Sequence, residues 1–212
     1  GYFLSGKSVQ LTAYNWWYAL ILPITIAIWC ASLISCEKRT QYQNIFCLPI
    51  SMKKVWLSKL LAVTVLLFLT SLIMWGGCTV FGIFTVMNID PLNGLTGCML
   101  LFFAYIWQLP LIMWLTKKAN YLVGVLLSFG CNVVLSMIGA ESNLFYINPF
   151  AIPARIVCPF FKMHPNGLPI ENGSFLLNTR PVIPAIGISL VLAVLCFWLT
   201  AWPFAKGDRK HD

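Results

Sequence analysis

Five stretches of this chain, each about twenty residues or longer, contain no Asp, Glu, Lys or Arg. They run over residues 16–35, 60–87, 95–115, 121–140 and 182–204. A hydrocarbon core of about 30 Å is crossed by roughly 20 helical residues. Backbone groups in lipid must find their partners within the segment, and no ten-residue alternating pattern suggests a barrel. The chain is therefore expected to fold as an all-α, polytopic transmembrane helical bundle, a single domain over residues 1–212 with five visible spans.

Composition agrees. Hydrophobic residues make up 59% and charged residues 9%, too apolar and too sparsely charged for a water-soluble domain. The net charge of +8 would suggest nucleic acid on a soluble protein. Here the bases stand in short runs between uncharged stretches, so membrane lipid is the expected anionic neighbour and no nucleic-acid partner is expected.

Placement of the bases predicts orientation. Lys38, Arg39, Lys53, Lys54, Lys59, Lys117, Lys118, Lys206, Arg209 and Lys210 fall on one side, which holds ten of the fourteen. Lys7, Arg155, Lys162 and Arg180 fall on the other. By the positive-inside rule the first side is cytoplasmic, which puts the visible N-terminus outside and the C-terminus in the cytoplasm.

Two connectors carry more information. In the inner loop 36–59, Pro49 ends what precedes it and Ser51 can cap a helix beginning at Met52. Met52, Val55, Trp56 and Leu60 would share one face, with Lys53, Lys54 and Ser58 largely on another. This predicts a short amphipathic helix at the membrane surface, either an anchor or a docking element for a cytoplasmic partner. The outer loop 141–180 is too apolar for disorder and is cut by five prolines. It is expected to fold against the outer ends of the spans, as a lid or contact surface or as a structural cap.

Catalytic machinery is missing from the sequence. There is no H-E-x-x-H, no G-x-S-x-G, no paired intramembrane aspartates and no P-loop. The eight cysteines form no C-x-x-C pair, and only His164 and His211 could join them, so neither a metal site nor a cofactor is expected. No charge stands at the centre of a span, which removes the usual relay of a proton-driven transporter. What remains is a membrane-embedded transport subunit without its own energy source, a role with no catalytic residues.

Several strings carry a resemblance. Tyr14-Asn15-Trp16-Trp17-Tyr18, followed by Leu22-Pro23, is one; Glu37-Lys38-Arg39, Asn44, Leu48-Pro49-Ile50, Lys53, Trp56 and Ser58-Lys59 form another. Asn148-Pro149, Pro153, Arg155 and His164-Pro165-Asn166-Gly167 complete the set. In order and spacing they resemble the permease subunits of lantibiotic-protection (immunity) ABC transporters, MutE/EpiE type, of the ABC-2 class. The resemblance implies six spans in a complete subunit with a cytoplasmic N-terminus, and so one span upstream of Gly1. It implies a bacterial plasma-membrane protein that expels lantibiotic peptides, giving the producer self-immunity. The implied partners are an ATP-binding cassette subunit, where ATP is hydrolysed, and a second related permease or a second copy. Glu37, Asn44, Pro49, Lys53, Trp56 and Lys59 would contact the ATPase. Trp16, Trp17, Phe145, Tyr146, Phe160 and Phe161 are the outer aromatics that could accept a peptide's apolar face, or serve as interfacial anchors. Two other readings stay open: an ABC-2 permease for another hydrophobic drug or lipid-linked antibiotic, and a non-transporting immunity or scaffold protein.

Overall fold

The computed structural model describes residues 9–39 and 51–206. Among these, eight α-helices account for nearly all regular structure. Helix α1 (Val9–Trp16) passes through a π-helical turn, Trp17–Ile21, into α2 (Leu22–Arg39). The turn has a local cause. Pro23 has no N–H to offer the Ala19 carbonyl and its ring crowds that oxygen, so the preceding turn widens and the Leu22 N–H bonds back to Trp17 instead. Tyr14, Tyr18, Leu22, Ile26, Cys30 and Ile34, each four residues apart, form the buried stripe of this rod.

Helix α3 (Met52–Phe84) is 33 residues long, about 50 Å at 1.5 Å per residue. The basic segment expected as a separate surface helix is instead its first two turns. Nothing between Lys59 and Leu60 breaks the backbone ladder, because neither Gly nor Pro stands there. Against a 30 Å hydrocarbon core, some of α3 must project beyond the apolar layer. It is returned by a short loop to α4 (Pro91–Tyr105), capped by Asp90, whose carboxylate accepts the Leu92 N–H at 3.1 Å.

The stretch expected as one straight span at 95–115 is two helices, α4 and α5 (Gln108–Lys118), bent by 40°. Pro110 explains the break: its ring conflicts with the Ile106 carbonyl four residues earlier, which accepts from Leu109 N instead at 3.2 Å. After a tight turn, Asn120 caps α6 (Tyr121–Leu135) by accepting the Val123 N–H at 2.9 Å. The stretch 121–140 was expected to be helical throughout, but α6 stops at Leu135. Asn148 Nδ2 donates to the Leu135 and Ile138 carbonyls at 2.7 and 2.9 Å, satisfying helix-end acceptors, and Gly139 turns the chain at φ +80°. Helix α7 (Ile152–Phe161) and two 3-10 turns, Asn143–Tyr146 and Phe175–Leu177, build the cap before α8 (Val182–Lys206).

Helix α2 packs on α5 and α6; α4 is held between α3 and α7; α8 closes against α3, α4 and α5. Among the described residues, three helical rods are long and apolar enough to cross a membrane, and the bent α4–α5 pair makes a fourth. Many large apolar side chains of α3, α6 and α8 stay exposed, Ile73, Leu126 and Leu199 among them. In water such surface would be intolerable; in lipid it is the ordinary outer face.

Candidate functional site

The bundle has two differently built ends. At one, the connector 136–181 covers the helices; at the other, the basic residues at the start of α3 and the end of α5 gather. Between them lies a largely apolar middle that holds a polar clasp.

At the capped end the strings 14–18 and 164–167 meet. The Tyr18 hydroxyl donates to the Pro165 carbonyl at 2.7 Å, while Tyr105 donates to the Tyr18 carbonyl inside the widened π-turn at 2.8 Å. Residues 162–170 form a small hairpin, with Ile170 N donating to Lys162 O and His164 N to Leu168 O. Gly167 turns it at φ +84°, and a methyl group there would overlap the Asn15 amide. This is a position where only glycine serves. Tyr14 stacks on Phe161 with ring centroids 4.4 Å apart. That stack lies against α4 at Gly94 and Gly97, and a side chain at Gly97 would collide with the Phe161 ring. Gly76 and Gly77 face open space, and Gly82 meets Gln10.

Three further contacts fix the cap. Gln10 is buried; its Nε2 donates to Cys78 O at 3.2 Å, and its Oε1 accepts the N–H groups of Asn88 and Ile89 at 2.9 and 3.0 Å. Arg155, 4% exposed, donates to the carbonyls of Leu176 and Phe175 at 3.0 and 3.4 Å. Its guanidinium lies over the Phe145 and Phe175 rings, so carbonyl oxygens and π faces share the work of holding a buried cation. Glu141 and His164 approach within 3.3 Å on the surface.

Of the six outer aromatics, Trp16 is 52% exposed and available to lipid or ligand. Trp17, Phe145 and Phe161 are buried in the core, and Tyr146 and Phe160 pack against it. In this conformation they hold the cap rather than present a surface. An apolar outer loop buries its largest rings first, each removing some 150–250 Å² from water.

At the basic end, Trp56 is fully buried, and Lys59 is buried with its Nζ 3.4 Å from the Leu33 carbonyl of α2. Lys53 is exposed and lines a crevice against α8. Lys118 lies over the Trp114 ring, 5.1 Å from its centroid. The Glu37 backbone belongs to α2, while Asn44 and Pro49 lie outside the described residues. The structure thus buries Trp56 and Lys59, with Lys59 reaching α2, and leaves Lys53 exposed.

Sequence reasoning missed the polar clasp. Gln108 and Asn132 are both buried and bond reciprocally, Gln108 Nε2 to Asn132 Oδ1 at 3.0 Å and Asn132 Nδ2 to Gln108 Oε1 at 2.7 Å. The available signal was an amide in each of two neighbouring uncharged stretches, since amides inside a bilayer seek one another. Two turns away, Gly124 brings α6 close enough to Thr116 of α5 that a methyl group would not fit.

A bundle of long apolar helices, capped by a folded loop at one end and basic at the other, defines a multi-pass membrane protein. The sequence model described as ABC-2 family transporter protein matches residues 2–139, which is more than half the chain. The chain belongs to that family and is a permease subunit of a transporter, a class that implies an ATP-binding cassette partner. No curated protein and no solved structure matches it.

Proposed function

We propose that this permease expels lantibiotic peptides from the bacterial plasma membrane and so protects the producing cell. ATP is hydrolysed by a separate cassette subunit bound at the basic, cytoplasmic end, beside a second related permease or another copy of this chain. The capped end then faces outside. The contact is formed by Glu37, the segment around Asn44 and Pro49, and the base of α3, where the buried Trp56 and Lys59 anchor that helix from within rather than touch the cassette.

The observation that carries this reading is the unbroken backbone of α3 from Met52 to Phe84. A rod without a hinge transmits displacement of its base to its far end. There Trp75 Nε1 donates to Pro91 O at 2.8 Å, coupling α3 to α4, and α4 carries α7 of the cap. Lys59 joins the base of α3 to α2, so both helices would move when the ATPases close. At the outer end Trp16 already faces outward, and loosening the cap would uncover Phe160 and Tyr146 for an amphipathic peptide.

The test is survival of a sensitive Gram-positive host carrying the complete gene with its neighbouring ATPase and permease, against a panel of lantibiotics. Protection that vanishes when the ATPase P-loop lysine is replaced supports ATP-driven expulsion. Protection that persists points to a binding scaffold, and no protection against any peptide points to another hydrophobic cargo.

A further inference from the structure

The crevice between the start of α3 and the end of α8 is a cavity of about 300 Å³ lined by Lys53, Phe197, Trp198 and Ala201. Three of its walls are apolar and the fourth is a cation. Lys53 is exposed, and its ammonium has no hydrogen-bonding or carboxylate partner among the described residues. The first turn of α3 holds no acidic residue, and Lys54 adds a second positive charge beside it. A ligand fitting this crevice joins an anionic head to an apolar body.

Depth narrows the choice. Lys53 lies fifteen residues from Phe68, the midpoint of α3, hence about 22 Å from the helix centre at 1.5 Å per residue. A bilayer is about 40–45 Å thick with its headgroups, so a centred α3 sets Lys53 at headgroup level. From there Leu57, Leu61 and Val65 continue up the same face of α3 at four-residue spacing, all exposed. Val194 and Val191 continue from Trp198 on α8, also exposed. The two apolar stripes lead from the crevice into the hydrocarbon layer.

We propose that this crevice binds an anionic phospholipid, with Lys53 pairing the headgroup phosphate, Trp198 and Phe197 flanking the glycerol region, and the acyl chains lying along the exposed stripes of α3 and α8. The inference is independent of the peptide cargo. It needs only that α3 and α8 cross the membrane.

Native mass spectrometry of the full chain in detergent, titrated with phosphatidylglycerol or phosphatidylcholine, tests it. The first phosphatidylglycerol should bind more tightly than phosphatidylcholine. Lys53→Gln should weaken it about fivefold, the factor that corresponds to the roughly 1 kcal/mol one basic residue contributes at a lipid surface. Lys53→Arg should restore it, and Lys118→Gln, an equal change of charge at the same end, should leave it unchanged. Trp198→Ala should weaken both lipids. Both residues are exposed, so the variants keep their packing, and circular dichroism checks this. Equal binding of the two lipids overturns the proposal, as does an equal loss in Lys53→Gln and Lys118→Gln, which would reflect diffuse attraction to the basic end. Displacement of phosphatidylglycerol by millimolar inorganic phosphate also overturns it, by making the crevice an anion site that does not use its apolar walls.

Discussion

Replacing Asn132 with Leu removes one half of the amide pair that joins α5 to α6 and leaves Gln108 buried with neither its donor nor its acceptor satisfied. The two bonds, at 3.0 and 2.7 Å, are of good length. Interhelical bonds in membranes contribute about 0.6 kcal/mol each on average and up to 1–2 kcal/mol in model peptides. Losing two therefore costs about 1–2 kcal/mol, and the stranded amide adds a share of the 1–3 kcal/mol typical of an unsatisfied buried group. The expected loss for Asn132→Leu is about 2–3 kcal/mol, and Gln108→Leu should cost a similar amount by stranding Asn132. The Asn132 amide also reaches the Ser128 carbonyl at 2.9 Å, a bond within its own turn that softens the second loss. The double variant replaces both amides with apolar groups and should recover most of either single loss. Reversible unfolding in mixed detergent micelles, followed by helical circular dichroism, measures all four corners of the cycle. Additive losses, with the double variant as unstable as the sum, would show that the pair does not act as a unit and would refute the reasoning.

Other outcomes follow from the capped end and the thiols. Gly97→Ala should force Phe161 away from Tyr14 and cost about 1–3 kcal/mol as an overpacked contact, read as a lowered melting temperature in detergent; Gly187→Ala, where a methyl meets nothing, is the matched control. Gly167→Ala places a side chain at φ +84° against Asn15, a strain of about 1–2 kcal/mol, and should open residues 162–170 to limited proteolysis. Tyr18→Phe removes the 2.7 Å bond to Pro165 and should cost about 0.5–1.5 kcal/mol while raising proteolysis at the same hairpin. Maleimide should label Cys36 in folded protein, while Cys30, Cys98 and Cys158, all buried, react only after denaturation.

How much of this was legible in the sequence differs from element to element. The all-α membrane architecture follows from charge-free stretches alone, and the apolar runs in α3 and α8 are visible without any structure. The start of α3 at Met52 matches the position read from Ser51, although the Ser51 side chain makes no capping bond there. The continuity of α3 was not legible, because lysines suggest a helix leaving the membrane, whereas long basic side chains let a helix continue straight through the headgroup layer. The break at Ile106 was legible in principle from Pro110, but the unbroken apolar run around it concealed the bend. The end of α6 depends on Asn148, thirteen residues away, and no local pattern announces such a cap. The outer aromatics illustrate a general limit. In a helix that is apolar on all sides, periodicity does not separate the lipid face from the packed face. Trp16 and Trp17 are adjacent and chemically identical, yet one faces outward and the other is buried.

The most direct measurement of the account concerns α3 as an unhinged lever. Leu69 sits midway along it and is 46% exposed, so Leu69→Pro breaks the rod with little disturbance to packing, and proline within a membrane helix is tolerated. In cells carrying the ATPase partner, peptide expulsion and ATP hydrolysis should be measured together for this variant. The account predicts a subunit that still assembles with its partner, hydrolyses ATP and no longer protects the cell. Protection at the wild-type level with α3 broken at Leu69 would contradict it.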